Sequence, residues 1–292
     1  MNDDVEAMRA ALAQRFGEEV AAIPAGQGPY GWPQSCPETW RRLAARGSCR
    51  RFSERPVAPE LIETLCALAL CAPTKSDLQQ RDIVIVEEPA RARINELLST
   101  GPLAQDWIPS APALLVFCGN NRRQRQLHQW RGKPFANDHL DAFFNAAVDA
   151  GIALSAFVLS AEAAGLGCAC ISAIRNHARE VSELLRLPEH VFPVAGLGLG
   201  WPAREVHVSL RLPLSATVHR GRFEEGSIRD TVDAYDRRRA AGATDPCAAR
   251  HPSVRHGRVL RLVGGQGAPV RGARALGLGR LRAGQGVPAR LG

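Results

Sequence analysis

The run from Asn137 to Gly165 constrains this fold more than any other stretch. Phe143, Phe144, Ala147, Val148, Gly151, Ile152, Leu154, Phe157, Val158 and Ala161 recur there at helical spacing and cover most of a helix circumference. A helix that is apolar nearly all round cannot rest on a surface; it belongs at the centre of a protein or between subunits. Its uncharged stretch, AGIALSAFVLSA at 150–161, is too short to cross a bilayer. The rest of the chain is therefore expected to be wrapped around this helix.

Strands and helices alternate on either side of it. A first helix is expected at about 4–20, then the Gly/Pro-rich arm IPAGQGPYGWPQSCP, then a short helix from Glu38; this region offers few chemistry-bearing residues. Leu61, Ile62, Leu65, Leu68 and Ala69 mark a buried helix face ended by Pro73. DIVIVEE reads as a strand, Pro89 to Ser99 as a helix, ALLVFCG as a strand, CACIS as a strand, Asn176 to Leu185 as a helix and VAGLGLGW as a strand. This order predicts an α+β fold with a mixed central sheet packed on a long central helix and helices on both faces. Three regions are expected: a helical arm and linker at 1–43, a main domain at 44–242 and a tail at 243–292.

Charge separates the tail from the rest. The chain holds 37 Lys and Arg against 29 Asp and Glu, and residues 243–292 contribute nine of the bases and one of the acids. The first 242 residues are thus balanced, which argues against a nucleic-acid surface on the main domain. The tail has ten glycines, no lysine and no aromatic residue, a composition that cannot bury enough surface to order itself. It resembles GC-rich coding DNA read out of frame. The eight cysteines lack the spacing of a zinc site or a redox pair, so no metal is expected, and small buried thiols in a reducing cytoplasm account for them. The N-terminus is acidic and amphipathic and does not read as a signal peptide.

Four segments carry candidate chemistry. In RGSCRRF, Arg46, Ser48 and Arg50 stand at alternate positions, so that in an extended segment all three face one anion while Arg51 turns to solvent. APTKSDLQQ, at 72–80, is a helix-to-strand loop of hydroxyls, amides and a lysine, suited to the edge of a polar heteroaromatic ring. GLGCACISAIRN and SLRLPLS complete the set. GLGLGW contains GxGxG, but its glycines lie within a strand and WPAREV follows where a helix should open. The expectation there is close approach of a neighbour, not dinucleotide binding.

Together these segments resemble the FMN-dependent nitroreductase family, and most closely its oxygen-insensitive, NADPH-preferring branch with the related flavin reductases. RGSCRRF is similar to the family's Arg-x-Ser-x-Arg-x-Phe element, APTKSDLQ to its APSSxNLQ loop, and GLGCACISAIRNHAREVSELLRLPEHVFPVAGLGLGWPA to a nearly continuous stretch of this branch. The resemblance spans about 44–240. It implies that Arg46, Ser48, Arg50 and Arg211 hold the FMN phosphate and ribityl chain. Thr74, Lys75, Ser76 and Gln79 would line the flavin, Gln105 would reach its pyrimidine side, and Ile171, Ser172 and Ala173 would lie against the ring near N5.

The implied activity is transfer of hydride from NADPH, with NADH left open, through FMN to a nitroaromatic or quinone in a ping-pong reaction. The flavin would carry the hydride, so no side chain need act as nucleophile or general base. The implied assembly is a cytoplasmic homodimer with FMN near its interface, with no nucleic-acid or membrane partner. A flavin reductase, a reductive dehalogenase on the same scaffold and a non-catalytic FMN-binding protein are the alternatives. Three departures stand out: Ser172 and Ala173 replace two glycines, Asp77 replaces an asparagine, and Ser209 stands where the branch has a second phosphate-binding base. Loss of that base removes about 1–2 kcal/mol of phosphate binding unless something compensates. The C-terminal segment that in this branch wraps the partner and contacts NADPH is not recognisable in 243–292.

Overall fold

The structure, a computed structural model, describes residues 3–17, 38–101 and 104–241. The chain divides into two units, residues 1–224 and 225–292. In the first, α1 (Asp3–Phe16) and α2 (Glu38–Ala45) precede α3 (Pro59–Leu70), β1 (Arg81–Ile85), α4 (Ala90–Ser99) and β2 (Ala113–Asn120). There follow α5 (Arg122–Trp130), α6 (Leu140–Ala163), β3 (Gly167–Ile171), α7 (Ala178–Leu184) and β4 (Val191–Gly200). In the second unit the described residues form one helix, α8 (Ile228–Ala241). The expected linker after the first helix and the Gly/Arg-rich tail at 243–292 lie outside the described residues.

The four strands form one sheet in the order β1-β2-β4-β3, with every pairing antiparallel, so among the described residues the expected mixed sheet is an antiparallel one. β2 is buried at every position because its two faces feed two different cores. Ala113, Leu115 and Phe117 point with Leu197 and Leu199 toward α3 and α6, where Phe117 meets Phe157 edge-on at 5.6 Å. Leu114, Val116 and Cys118 point the other way, toward Ile94 and Leu98 of α4 and Val181 of α7. The period of two in β2 thus places helices on both faces of the sheet, as expected. Truncating Phe117 or Phe157 would cost about 3–5 kcal/mol.

α6 is the expected central helix. It begins later than the apolar pattern suggests, because His139 caps it by accepting from the Asp141 N–H at 3.2 Å. It ends with Gly165 at φ +83° and Leu166 N–H returning to Ala161 O at 3.0 Å. Its buried face packs Ala153, Phe157 and Ala161 into the core, whereas Leu140, Phe144 and Val148, spaced four apart, are 55%, 62% and 40% exposed. The helix is long and apolar enough to pass for a membrane span, yet it packs against the sheet.

α1 stops at Phe16, short of the expected end near residue 20, because Gly17 adopts φ +93° and its N–H closes on Ala13 O. Val5 and Met8 of α1 and Ala44 of α2 make a small cluster of their own, separate from the two main cores. The glycines of GLGLG sit in β4, where a Cβ on Gly198 would come within 2.8 Å of the Trp107 ring. Close approach of a neighbour is what that motif provides.

Candidate functional site

RGSCRRF runs along the free edge of β3 and then meets the end of β4. Cys49 N–H donates to Cys168 O at 2.9 Å, Ser53 N–H to Trp201 O at 2.8 Å and Ala203 N–H to Arg51 O at 3.0 Å. Gly47 is buried against His207, whose carbonyl would lie 2.3 Å from any Cβ there, and Cys49 is buried against Gly167. With Gly47 and Cys49 facing in, Ser48 and Arg50 face out, which is the expected alternation; Arg51 is exposed as well.

Arg46 is half-buried and ion-paired. Its Nη2 lies 2.9 Å from Glu162 Oε1, and its Nε is 3.1 Å from Oε2, near the C-terminal end of α6. Burial works against the charged guanidinium, but the hydrogen bond and charge of Glu162 outweigh it and raise the pKa of Arg46. Sequence reasoning did not single out Glu162. Arg46 and Arg50 also act together on Cys170, in β3: burial pushes that thiol up, and the two arginines pull against it.

The N-terminal helix, expected to carry little chemistry, enters the same place. Arg15 is 4% exposed. Its guanidinium donates to Ala44 O and Arg46 O on one side and, at 3.5 Å, to Ser209 O on the other. Its own carbonyl accepts the Arg211 N–H at 2.7 Å. One residue of α1 therefore ties the start of RGSCRRF to SLRLPLS, although the two segments are far apart in sequence. Arg211 is exposed, with Nη1 2.6 Å from Ser209 Oγ.

The loop APTKSDLQQ is held by α6 from its other end. Asp149, 0% exposed, accepts from Lys75 N–H at 2.9 Å through Oδ1 and from Gln80 N–H at 3.1 Å through Oδ2. Between these anchors Ser76, Asp77 and Gln79 adopt φ of +49°, +54° and +51°, left-handed backbone in three non-glycine residues of one short turn. Thr74 is half-buried, with Oγ1 accepting from Gln79 N–H at 3.4 Å, and Lys75 and Ser76 are exposed with their side chains 3.0 Å apart. The Gln79 side chain donates to Asp77 at 3.3 Å, and Gln79 lines a cleft of about 430 Å³ with Arg81, Asp82 and Arg123 that none of the other predicted residues lines. Asp149 and Glu162 are thirteen residues apart on α6, or about 20 Å. One rigid element thus carries both stations of the predicted site.

At the end of β3 the Ile171 side chain is fully buried against Gly196 and Ile174, so only its backbone can face a ligand. Ser172, exposed, and Ala173, half-buried, follow in a short 3₁₀ turn. Gln105 is half-buried, its Oε1 accepting from Trp107 Nε1 at 3.2 Å, and Trp107 lies between Gly198 and Phe52, whose ring centroid is 6.3 Å away. The packing of Trp107 brings Gln105 toward the end of RGSCRRF.

The residues suit the phosphate end of FMN. Arg15, Arg50 and Arg211 form no ion pair among the described residues, and the carboxylate of Glu162 is engaged by Arg46. Burial lowers the pKa of Arg15, and the charges of Arg211 and Arg46 lower it further, so these guanidiniums feel one another. A cluster of this kind favours a multiply charged anion with several acceptor oxygens. Among the described residues no group of His, Cys, Asp and Glu could hold a metal ion.

Residues 43–201 match the profile of the Nitroreductase family. The FMN reductase [NAD(P)H] of Bacillus subtilis is 32% identical over 204 residues, covering 68% of this chain and 80% of that protein. The oxygen-insensitive NADPH nitroreductase of Salmonella typhimurium is 32% identical over 182 residues, covering 62% and 73% respectively. Among solved structures, the NADPH:FMN oxidoreductase of Vibrio harveyi in complex with NAD+ superimposes with a TM-score of 0.64 at 30% identity, covering 70% of this chain and 86% of that one. By the match of its central 159 residues and by the fold that carries them, this chain belongs to the nitroreductase family.

Proposed function

We propose that this chain is a cytoplasmic NAD(P)H-dependent flavin oxidoreductase that binds FMN and reduces nitroaromatic or quinone substrates by two electrons at a time, in a ping-pong reaction. The observation that carries it is the group of guanidiniums, Arg15, Arg50 and Arg211, that form no ion pair among the described residues and gather next to Arg46. Ser48, Arg50 and Arg211 would hold the phosphate, with Arg46 shared between it and Glu162. Thr74, Lys75 and Ser76 would border the ring from the loop pinned by Asp149, Gln105 would border it from the side of Trp107, and Ser172 and Ala173 from the end of β3. Bound FMN would accept hydride from the nicotinamide and pass it on. The protein's residues bind and orient; the positive charge of Lys75 favours an electron-rich ring nearby.

The name of the Bacillus subtilis relative supports a second acceptor, free flavin, at the same face. The chain is proposed to work as a homodimer, because Leu140, Phe144 and Val148 form an exposed apolar stripe on α6 that a second copy would cover. A main domain at 44–242 would carry the site, with the arm before it and the tail after it. The test is a visible spectrum of protein incubated with FMN and desalted: a retained flavin band, bleached by NADPH and restored by a nitroaromatic, is expected. A protein that emerges colourless, or whose band NADPH leaves unchanged, overturns the reading.

A further inference from the structure

We propose that Arg15, at the end of α1, is a positioning residue for the FMN phosphate: it clamps the segments bearing Arg46 and Arg211 together and adds a positive charge beside Ser209. This rests on the FMN reading above and concerns a part of the chain outside the family match at 43–201.

The geometry is specific. The Arg15 guanidinium is almost wholly buried, and its acceptors among the described residues are main-chain carbonyls: Ala44 and Arg46 on one segment, Ser209 on the other. The Arg211 N–H then donates to the Arg15 carbonyl at 2.7 Å, so the residue joins the two segments through its side chain and its backbone. Carbonyl oxygens solvate a guanidinium but do not neutralise it. The carboxylate that acts on it, Glu162, is bidentate on Arg46. A buried charge that forms no ion pair of its own among the described residues is costly, and an anion bound next to it relieves that cost. The phosphate of FMN, held by Arg46 and Arg211, would be such an anion. Ser209, where the family resemblance leads one to expect a base, leaves the position for that charge to come from α1.

Two roles are separable. Merely holding the fold together would affect every flavin equally, whereas setting the phosphate site affects FMN and not riboflavin, which has the same ring without the phosphate. The experiment is a fluorescence titration of both flavins into wild-type protein and the Arg15→Met variant. The expected result is a loss of about tenfold or more in FMN affinity, with riboflavin affinity changed by less than about twofold. Adding Ser209→Lys to Arg15→Met should recover much of the lost FMN affinity.

If Arg15→Met does not fold, a chain lacking residues 1–17 is the second variant. Its loss leaves both main cores intact, because α1 packs in a cluster of its own with α2. The truncated chain should show the same selective loss. Unchanged FMN affinity in either variant, or an equal fall for both flavins, overturns the proposal. A wild-type protein that binds neither flavin overturns instead the functional reading on which it rests.

Discussion

Replacing Asp149 tests most directly how α6 shapes the predicted site. Its two oxygens accept from the N–H groups of Lys75 and Gln80, at the two ends of a turn with three left-handed non-glycine residues. Each such residue costs about 1 kcal/mol, so the turn stores about 3 kcal/mol. Each hydrogen bond to a carboxylate contributes about 1.5–3 kcal/mol, enough together to offset that strain. The carboxylate itself is fully buried, and its desolvation subtracts from the gain. Asp149→Asn keeps the shape and one acceptor but turns an NH₂ toward a backbone donor, which predicts a loss of about 2 kcal/mol. For a domain of this size that lowers Tm by about 4–8 °C. Asp149→Leu should be worse, because the two backbone donors remain buried and no side chain is left to accept from them.

Thermal melting read by near-ultraviolet circular dichroism gives the first number. Amide hydrogen exchange at Lys75 and Gln80 gives the second, and both amides should lose protection together. If Asp149→Leu melts within about 1 °C of wild type and both amides stay protected, the turn is held by something other than Asp149 and the argument fails.

Other expectations follow from single sites. Arg186, at φ +51°, occupies the left-handed position after α7, with Leu187 N–H returning to Ser182 O at 2.8 Å; Arg186→Gly should raise Tm by about 2–4 °C, and a fall would contradict the assignment. Gly198→Ala would set a Cβ 2.8 Å from the Trp107 ring, so a destabilisation of about 1–3 kcal/mol by urea unfolding is expected, together with altered tryptophan fluorescence. Burial pushes the Cys118 thiol up to about 12, so it should resist alkylation at pH 9 in the folded protein and react once unfolded. Because the folded state keeps a proton that the unfolded state releases, stability should fall as pH rises from about 9 toward 12, and less steeply in Cys118→Val.

Where a side chain's role repeats with a helical or strand period, the sequence revealed it. The apolar pattern of α6 and the alternation that turns Ser48 and Arg50 outward are both legible there, whereas β2 reads only as an apolar strand, because both its faces are buried. α5 escaped because RRQRQLHQW has only Leu127 and Trp130 as apolar residues, and the buried Gln124 holds it down by donating to Leu78 O, a bond without periodicity. α8, richer still in charge, was not anticipated either. Asp149 reads as an ordinary acid inside an apolar helix, since its partners are main-chain N–H groups some seventy residues away. Arg15 is hidden for the same reason: its acceptors are carbonyls, which every residue has. Ile171 was expected at the ring; its strand parity turns the side chain into the core, which leaves its backbone for that place.

The placement of Asp149 and Glu162 on one helix also limits how such a chain can change in length. A single residue inserted between them would rotate everything downstream by 100° and advance it by about 1.5 Å. Glu162 would swing away from Arg46 while Asp149 stayed with its loop, so the two halves of the site would fall out of phase. Extra residues are tolerable before His139 or after Gly165, where the helix is already closed by its caps. Between the two acids, the helix is a fixed spacing that insertion or deletion cannot alter without uncoupling what it joins.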